Sequence, residues 1–360
     1  MRIAIGLSGG VDSAVAAALL VQAGHEVVGV HLECWRAPGC RAEDDRKDAL
    51  TVALHLGIPF QALDFRDAYR ETVVERFFAD YERGLTPNPD VWCNTEIKFG
   101  LFYEWALGQG FDVVATGHYA KIADGELQRP ADEHKDQTYF LYRLRPDQLE
   151  HVVFPLSDLT KPEVREKAKE LSLPVASKPD SQGICFIGEI DVRDFLRERL
   201  GEKPGDVLDV DGNVIGRHKG HWFYTVGQRH GFELFGSIYT KHKEWKHVLP
   251  PLYVIRKDGK SNTIVVGFGH DTLASRILVE DVMLRSELPS DGSLRVRVRH
   301  GGELLECSVS PDAEDLEVLR IKFVEPQRGV AAGQAAVFYG GPDHKTCFGG
   351  GIMMDVRAEG

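Results

Sequence analysis

The sequence predicts an α/β protein: a parallel-sheet N-terminal domain, then a small central module and a C-terminal all-β barrel. Three observations carry this expectation. Strand and helix patterns alternate through the first third of the 360 residues, a glycine-bearing turn joins the first strand to the first helix, and short β-type runs fill the last third.

In chain order, Arg2–Leu7, Glu26–Leu32 and Phe60–Asp64 read as strands, alternating with helical patterns over Asp12–Ala23, Ala42–His55 and Asp67–Arg83. This is the rhythm of βαβ units, in which the helix carries the chain back so that successive strands run parallel. A further short strand, Asp112–Thr116, ends at Gly117-His118. Ligands of open parallel sheets bind beyond the carboxyl ends of the strands. The Ser8 turn, the Leu32–Cys34 segment and Gly117-His118 are therefore the strand ends to inspect. Thr160 as N-cap, Pro162 in the first turn and Glu163 as capping-box partner announce a helix from Leu156 to Leu171, read as structural. Another helix, Asp191–Leu200, stops at Gly201, and Lys203-Pro204-Gly205-Asp206 opens a turn-rich stretch. The expected domains are 1–202, 203–272 and 273–360. The β-type runs Tyr253–Arg256, Thr263–Val266, Ile277–Leu284, Leu294–Arg299, Leu304–Val309, Val318–Val324 and Ala335–Tyr339 suit a small barrel preceded by a smaller module.

Composition narrows the class. A hydrophobic fraction of 43% and a charged fraction of 27% are those of a globular protein. No apolar run approaches the ~20 residues that span a bilayer, and a cytoplasmic location without membrane attachment is expected. The net charge of -12 speaks against a nonspecific polyanion binder, though not against local basic patches. Six cysteines, at 34, 40, 93, 185, 307 and 347, contain no C-x-x-C pair, so zinc-ribbon and thioredoxin-like readings lack support and no resident metal is expected. Cys34, Cys307 and Cys347 read as nonessential, as does Cys40, although Cys40 is the one suited to a regulatory disulfide.

The turn Ser8-Gly9-Gly10-Val11-Asp12-Ser13 is built to hold an anion. Glycines let the backbone approach a phosphate, and the following helix directs free N–H groups and the positive end of its dipole toward it. A Walker P-loop needs a Lys before the last Ser, which is absent here. The turn instead resembles the SGGxDS loop of the PP-loop ATP pyrophosphatases, which grips the pyrophosphate leaving when ATP adenylates a substrate oxygen.

Two more segments bear on chemistry. In Thr86-Pro87-Asn88-Pro89-Asp90-Val91-Trp92-Cys93-Asn94, two prolines stiffen a loop before a helical pattern. Cys93 is thus expected at or near a helix N-terminus, where a thiol pKa falls, although a buried structural Cys is the stronger reading of this segment alone. In Ser177-Lys178-Pro179-Asp180-Ser181-Gln182-Gly183-Ile184-Cys185-Phe186-Ile187, Cys185 follows a polar turn.

Together with Ala115–Ala120, Lys135–Leu141, Phe154–Val164 and Tyr224–Gly231, these segments closely resemble the tRNA-specific 2-thiouridylases over nearly the whole chain. That resemblance implies an ATP-dependent exchange of oxygen for sulfur at carbon 2 of the wobble uridine in tRNAs for Lys, Glu and Gln. Gly6, Leu7, Ser8, Gly9, Gly10, Val11, Asp12 and Ser13 would bind ATP with its Mg²⁺, assisted by Leu32 and Gly117. Asn88, Pro89 and Asp90 would surround the target base, with Asp90 as acid/base. Cys185 would carry a persulfide and Cys93 would be its partner thiol. His118, Lys135, Asp136, Gln137, Arg299, His300 and Gln334 would contact tRNA. A cysteine desulfurase or sulfur-relay protein would supply the sulfur, and the enzyme would act as a monomer.

The remaining features read more simply. Leu294-Arg295-Val296-Arg297-Val298-Arg299 alternates and suits a solvated sheet face or a phosphate-contacting one. Lys241–His247 is basic with an internal Trp245, more in keeping with a solvated loop than with an RNA contact. A PP-loop ligase, which adenylates a carbonyl and adds an amine, is the competing enzyme class and would not need both cysteines. A noncatalytic RNA-binding relative is a third class, opposed by the presence of Asp12, Asp90, Cys93 and Cys185.

Overall fold

The structure is a computed structural model describing residues 1–36, 41–180, 191–236 and 250–357. Cys40, the 181–190 stretch with Cys185, and the Lys241–His247 segment lie outside the described residues.

The N-terminal domain begins with β1 (Arg2–Gly6), α1 (Val11–Gln22), β2 (Glu26–Glu33), α2 (Ala42–Leu56) and β3 (Phe60–Asp64). Small side chains at Ala14, Ala16, Ala17 and Ala18 let α1 lie close on the sheet, where all four are buried. A helical run, α3 (66–82), follows with a π-type stretch at Arg70–Val74. A second run, α4 (89–108), contains another at Cys93–Leu101. The sheet is extended by β4 (Val113–Ala115), while β5 (Lys121–Ala123) and β6 (Glu126–Gln128) form a hairpin, and β7 (Val152–Val153) completes the sheet. The strand order is β3-β2-β1-β4-β7, all parallel. Chain direction across the sheet reverses between β1 and β4, which makes the end of β1 the switch point where such sheets bind ligands.

The announced helix begins later than the pattern suggested. Only Lys161–Glu170 (α5) is helical, because the Thr160–Glu163 capping box sets its start, and residues 155–158 ahead of it form a turn. Next come α6 (Val192–Leu200), capped by the Asp191 side chain, and the central sheet of β8 (Gly205–Leu208), β9 (Val214–His218), β10 (Glu233–Leu234), β11 (Tyr253–Asp258) and β12 (Thr263–Gly267). Its order is β10-β9-β8-β12-β11.

The last domain comprises β13 (Ala274–Leu284), β14 (Arg295–Arg297), β15 (Leu305–Pro311), β16 (Leu319–Gln327), β17 (Ala335–Gly340) and β18 (Thr346–Arg357). These strands run β13-β16-β15-β14-β17-β18, and pairing of β18 back onto β13 closes a six-stranded antiparallel barrel. The β5–β6 hairpin of the first domain attaches to it through Gln128 opposite Thr346. One hydrophobic cluster is shared, since Phe99, Phe102 and Tyr139 pack with Val337, Tyr339 and Cys347. The three arginines of Leu294–Arg299 do not share one solvated face: Arg299 is exposed, but Arg297 is 4% exposed and turns inward to Asp136.

Candidate active site

The Ser8 turn lies at the end of β1 and is organised by its own hydroxyls. Ser13 Oγ accepts from the Ser8 N–H (3.2 Å) and donates to the Gly10 carbonyl (3.1 Å), while the Ser8 and Ser13 hydroxyls lie 3.1 Å apart. Gly10 is the N-cap of α1 and supplies no capping side chain, which leaves the first N–H groups of the helix for a ligand. Gly9 has φ +77°, and a Cβ there would stand 2.3 Å from the Asp45 carbonyl oxygen. Gly117, just past β4, comes so close that a Cβ would stand 2.7 Å from the Ser13 nitrogen. Leu7 and Val11 bury their side chains and offer only backbone to the turn. Gly6 and Leu32 occupy the carboxyl ends of β1 and β2 beside it.

Charge around the turn is arranged in two groups that the sequence reading missed. Lys161 Nζ donates to both oxygens of Asp12 (2.7 and 2.9 Å) and lies 2.9 Å from Asp180, and the Tyr119 hydroxyl also donates to Asp12 (3.0 Å). Burial and the Asp12 charge push the Tyr119 hydroxyl far up, so it remains a donor. Lys178 Nζ donates to the Gly9 carbonyl (2.9 Å), Asp45 (2.7 Å) and Asp48 (2.5 Å). Asp180 also meets Arg165 and Lys135. Although burial opposes it, hydrogen bonds from Lys161 and Lys135 hold its carboxyl down at about 2. The helix read as structural thus reaches the turn through Lys161. One signal was present: a lysine in the first turn of a helix opposes the helix dipole and needs another reason to be there.

In the Pro87–Asn94 segment Cys93 is buried, the stronger of the two readings of that segment, and the helix-terminus placement is not what the structure shows. Asn88 is the N-cap, its Oδ1 accepting from the Asp90 N–H (3.2 Å), and Pro89 occupies the first helical position. Cys93 is therefore a full turn inside α4 and 3% exposed, so the expected lowering by a helix terminus does not operate. Burial pushes its thiol up, with Asp90 adding to the rise and Lys98 and a hydrogen bond from Tyr69 opposing it.

Lys98 Nζ donates to His118 Nε2 (3.4 Å), and His118 Nδ1 donates to Thr116 Oγ1 (2.8 Å). Both ring nitrogens are taken, and burial with the Lys98 charge holds His118 well below its usual pKa, as a neutral ring. Tyr119 and Gln137 exchange two hydrogen bonds, 2.9 and 3.0 Å, which tie the Gly117-His118 end to the Lys135–Gln137 segment. Asp136, expected on the RNA face, is instead 2% exposed, and both its oxygens are held by Arg129, Arg297 and Thr138. Its side chain organises that segment from inside. His300 is exposed and stacks at 4.3 Å on Phe140, and Arg299 is exposed beside it. Gln334 Nε2 donates to the Thr86 (2.8 Å) and Pro87 (3.3 Å) carbonyls, so this barrel side chain supports the loop leading to Asn88.

The arrangement offers an anion cradle with hydroxyl and backbone donors, joined through Lys161 and Asp180 to the start of the Cys185 segment in sequence. Through Lys98 and His118 it is joined to the helix that carries Cys93.

Three family models match the chain in succession: tRNA methyl transferase HUP domain over residues 1–189, tRNA methyl transferase PRC-barrel domain over 193–268, and aminomethyltransferase beta-barrel domain over 275–353. Among solved structures, it is similar to an NMN synthetase from Francisella tularensis, at 24% identity and TM-score 0.34 over 54% of this chain and 71% of that one. It is also similar to the U34-tRNA thiolase NcsA from Methanococcus maripaludis with its 4Fe-4S cluster, at 20% identity and TM-score 0.36 over 55% and 67%. A much nearer relative is the tRNA-specific 2-thiouridylase MnmA of Akkermansia muciniphila, 42% identical over 370 aligned residues that cover 99% of each chain. With that identity along the whole chain, and with the PP-loop and the cysteine segments in their expected order, this protein belongs to the tRNA-specific 2-thiouridylase family.

Proposed function

We propose that this protein replaces the carbon-2 oxygen of the wobble uridine of tRNA by sulfur, in an ATP-dependent reaction in the cytoplasm. The observation that carries the reading is the glycine cradle at the β1 switch point, within a chain 42% identical to a 2-thiouridylase over its full length. The uracil oxygen is a poor leaving group, so ATP first adenylates it. The open N-terminus of α1, with Ser8 and Ser13, fits the departing pyrophosphate, and charge developing on it is stabilised by fixed donors that need not reorganise. Asp12, whose carboxylate oxygens accept from Lys161 and Tyr119 here, would be the residue beside the cradle to meet the Mg²⁺ that comes with ATP. Asn88, Pro89 and Asp90 hold the extruded base, with Asp90 moving its proton. His118, Lys135, Gln137, Arg299, His300 and Gln334 line or support the RNA side.

Sulfur arrives as a persulfide on Cys185, supplied by a desulfurase or relay protein. In one route its terminal sulfur attacks carbon 2 and displaces AMP, after which the Cys93 thiolate takes the Cys185 sulfur and frees the thiolated base. In the other, Cys93 attacks the Cys185 sulfur first and releases hydrosulfide, which then displaces AMP. Both leave a Cys93–Cys185 disulfide that an external thiol must reduce. The buried Cys93 favours a step in which its thiolate forms only once base and persulfide are in place. The protein acts as a monomer on one tRNA. Nucleoside mass spectrometry on unmodified glutamate tRNA, with ATP, Mg²⁺ and a desulfurase donor, tests the reading. Wild type should yield 2-thiouridine and Cys185→Ser none. ATP turnover without sulfur transfer to any tRNA would move the protein to the PP-loop ligase class.

A further inference from the structure

The loop that leads into Asn88–Asp90 is tied to the other two domains. Polar groups of Leu85, Thr86 and Pro87 bond to both of them. From the barrel, Gln334 holds the Thr86 and Pro87 carbonyls, and the Thr86 N–H donates to the Ala332 carbonyl (2.8 Å). From the central module, Lys257 on β11 donates from Nζ to the Leu85 carbonyl (3.0 Å) and to Thr86 Oγ1 (3.3 Å), with the Tyr81 ring 5.5 Å away. The same module grips the end of α3, which feeds this loop. His221 Nε2 donates to the Tyr81 and Glu82 carbonyls at 3.1 Å each, and the β11–β12 turn is so close that a Cβ on Gly259 would stand 2.2 Å from the Glu82 oxygen.

We infer that Lys257 is a positioning residue for the reaction: its amine, reaching out of the central module, fixes Leu85 and Thr86 and thereby the place of Asn88–Asp90 against the target base. This rests on the reading of that loop as the base site. Among the described residues no carboxylate lies within ion-pair distance of Lys257, and burial pushes its pKa down to about 7. A half-buried, carboxylate-free lysine is costly for stability, and an apolar side chain of similar length would avoid that cost. What the amine provides is two directional donors to a loop whose prolines already restrict it.

The test is steady-state thiolation of unmodified tRNA, read by nucleoside mass spectrometry, for wild type, Lys257→Met, Lys257→Arg, Thr86→Val and Asp90→Asn. A displaced base loop misplaces the reacting atoms, and misplacement of about 1 Å costs on the order of 100-fold in rate. Lys257→Met should lower kcat at least about tenfold while the KM for ATP and the tRNA Kd stay within about twofold, and Lys257→Arg should restore kcat to within about threefold. Thr86→Val removes one of the two acceptors and should lower kcat about two- to fivefold; it carries the test if Lys257→Met does not fold, and an unchanged kcat there overturns the inference. So does a Lys257→Met kcat within twofold of wild type, or an arginine variant that loses as much as the methionine one. Unimpaired Asp90→Asn would instead overturn the loop reading beneath it, whereas impaired Asp90→Asn with normal Lys257→Met removes the lysine's role alone.

Discussion

Replacing Asp136 by Asn separates an RNA-contacting residue from a buried organiser. The Asp136 carboxylate accepts from Arg129 Nε (2.8 Å), Arg297 Nη1 (2.7 Å), the Thr138 N–H (3.0 Å) and Thr138 Oγ1 (2.6 Å). Burial alone would raise its pKa; the Arg297 charge and the Thr138 hydroxyl outweigh that and hold it below the ordinary carboxylate value. Asparagine keeps the shape but turns two guanidinium groups, 8% and 4% exposed, toward an uncharged amide. Two charge-assisted hydrogen bonds at about 1.5–3 kcal/mol each give roughly 3–6 kcal/mol. That agrees with the ~3–5 kcal/mol typical of removing one partner from a buried ion pair. The expected loss on unfolding in urea is about 3–5 kcal/mol, while tRNA affinity of the folded protein changes less than about threefold. Asp136→Asn combined with Arg297→Met removes one of the stranded charges and should recover at least ~1 kcal/mol over Asp136→Asn alone. Wild-type urea stability together with a tenfold loss of tRNA affinity would refute the burial argument and return Asp136 to the RNA surface.

Three further outcomes are expected. Gly117→Ala places a methyl 2.7 Å from the Ser13 nitrogen, so β4 and α1 must separate; overpacking costs about 1–3 kcal/mol, and the KM for ATP should rise about tenfold or more, an unchanged KM showing that the approach is not needed. Asp180, held down at about 2 against an ordinary 3.8, contributes stability that is full above about pH 4 and lost as pH falls toward 2, because the unfolded chain takes up the proton first. Asp180→Asn should therefore lie about 1 kcal/mol below wild type at pH 7 after solvent screening and converge with it in acid; a gap that widens on acidification would reverse the sign. Cys93, buried with its thiol pushed up, should react with iodoacetamide at neutral pH far more slowly than a free thiol and faster as pH rises; rapid alkylation at pH 7 would contradict its burial.

Much of the fold was legible because hydrophobic period and turn chemistry are local. The βαβ alternation, the SGGxDS turn and the Thr160–Glu163 capping box each lie within a few neighbouring residues, and each appears in the structure within a few residues of its expected bounds. What stayed hidden depends on distant neighbours. The closing strand of the barrel, β18, had no counterpart among the expected β-type runs, and it holds Gly349, Gly350 and Gly351. A Cβ on them would stand 2.1, 2.4 and 2.6 Å from carbonyl oxygens of Met283, Ala336 and Glu280. The glycines are there for close backbone approach on both flanks, which no local pattern reveals.

The site divides in the same way. Reading along the chain sufficed to find the chemistry on offer: an anion-binding turn, a proline-stiffened loop with Asp90 and Cys93, and a second cysteine segment. Which charges meet across 149 residues, as Lys161 does with Asp12, and which polar residues turn inward, as Asp136 and Arg297 do, came to light only once the chain was folded. The difference comes from range. Propensity and capping act over a turn or two of chain, whereas ion pairing and burial are set by packing between elements, and the chain order of residues does not record which of them will share one dry interior.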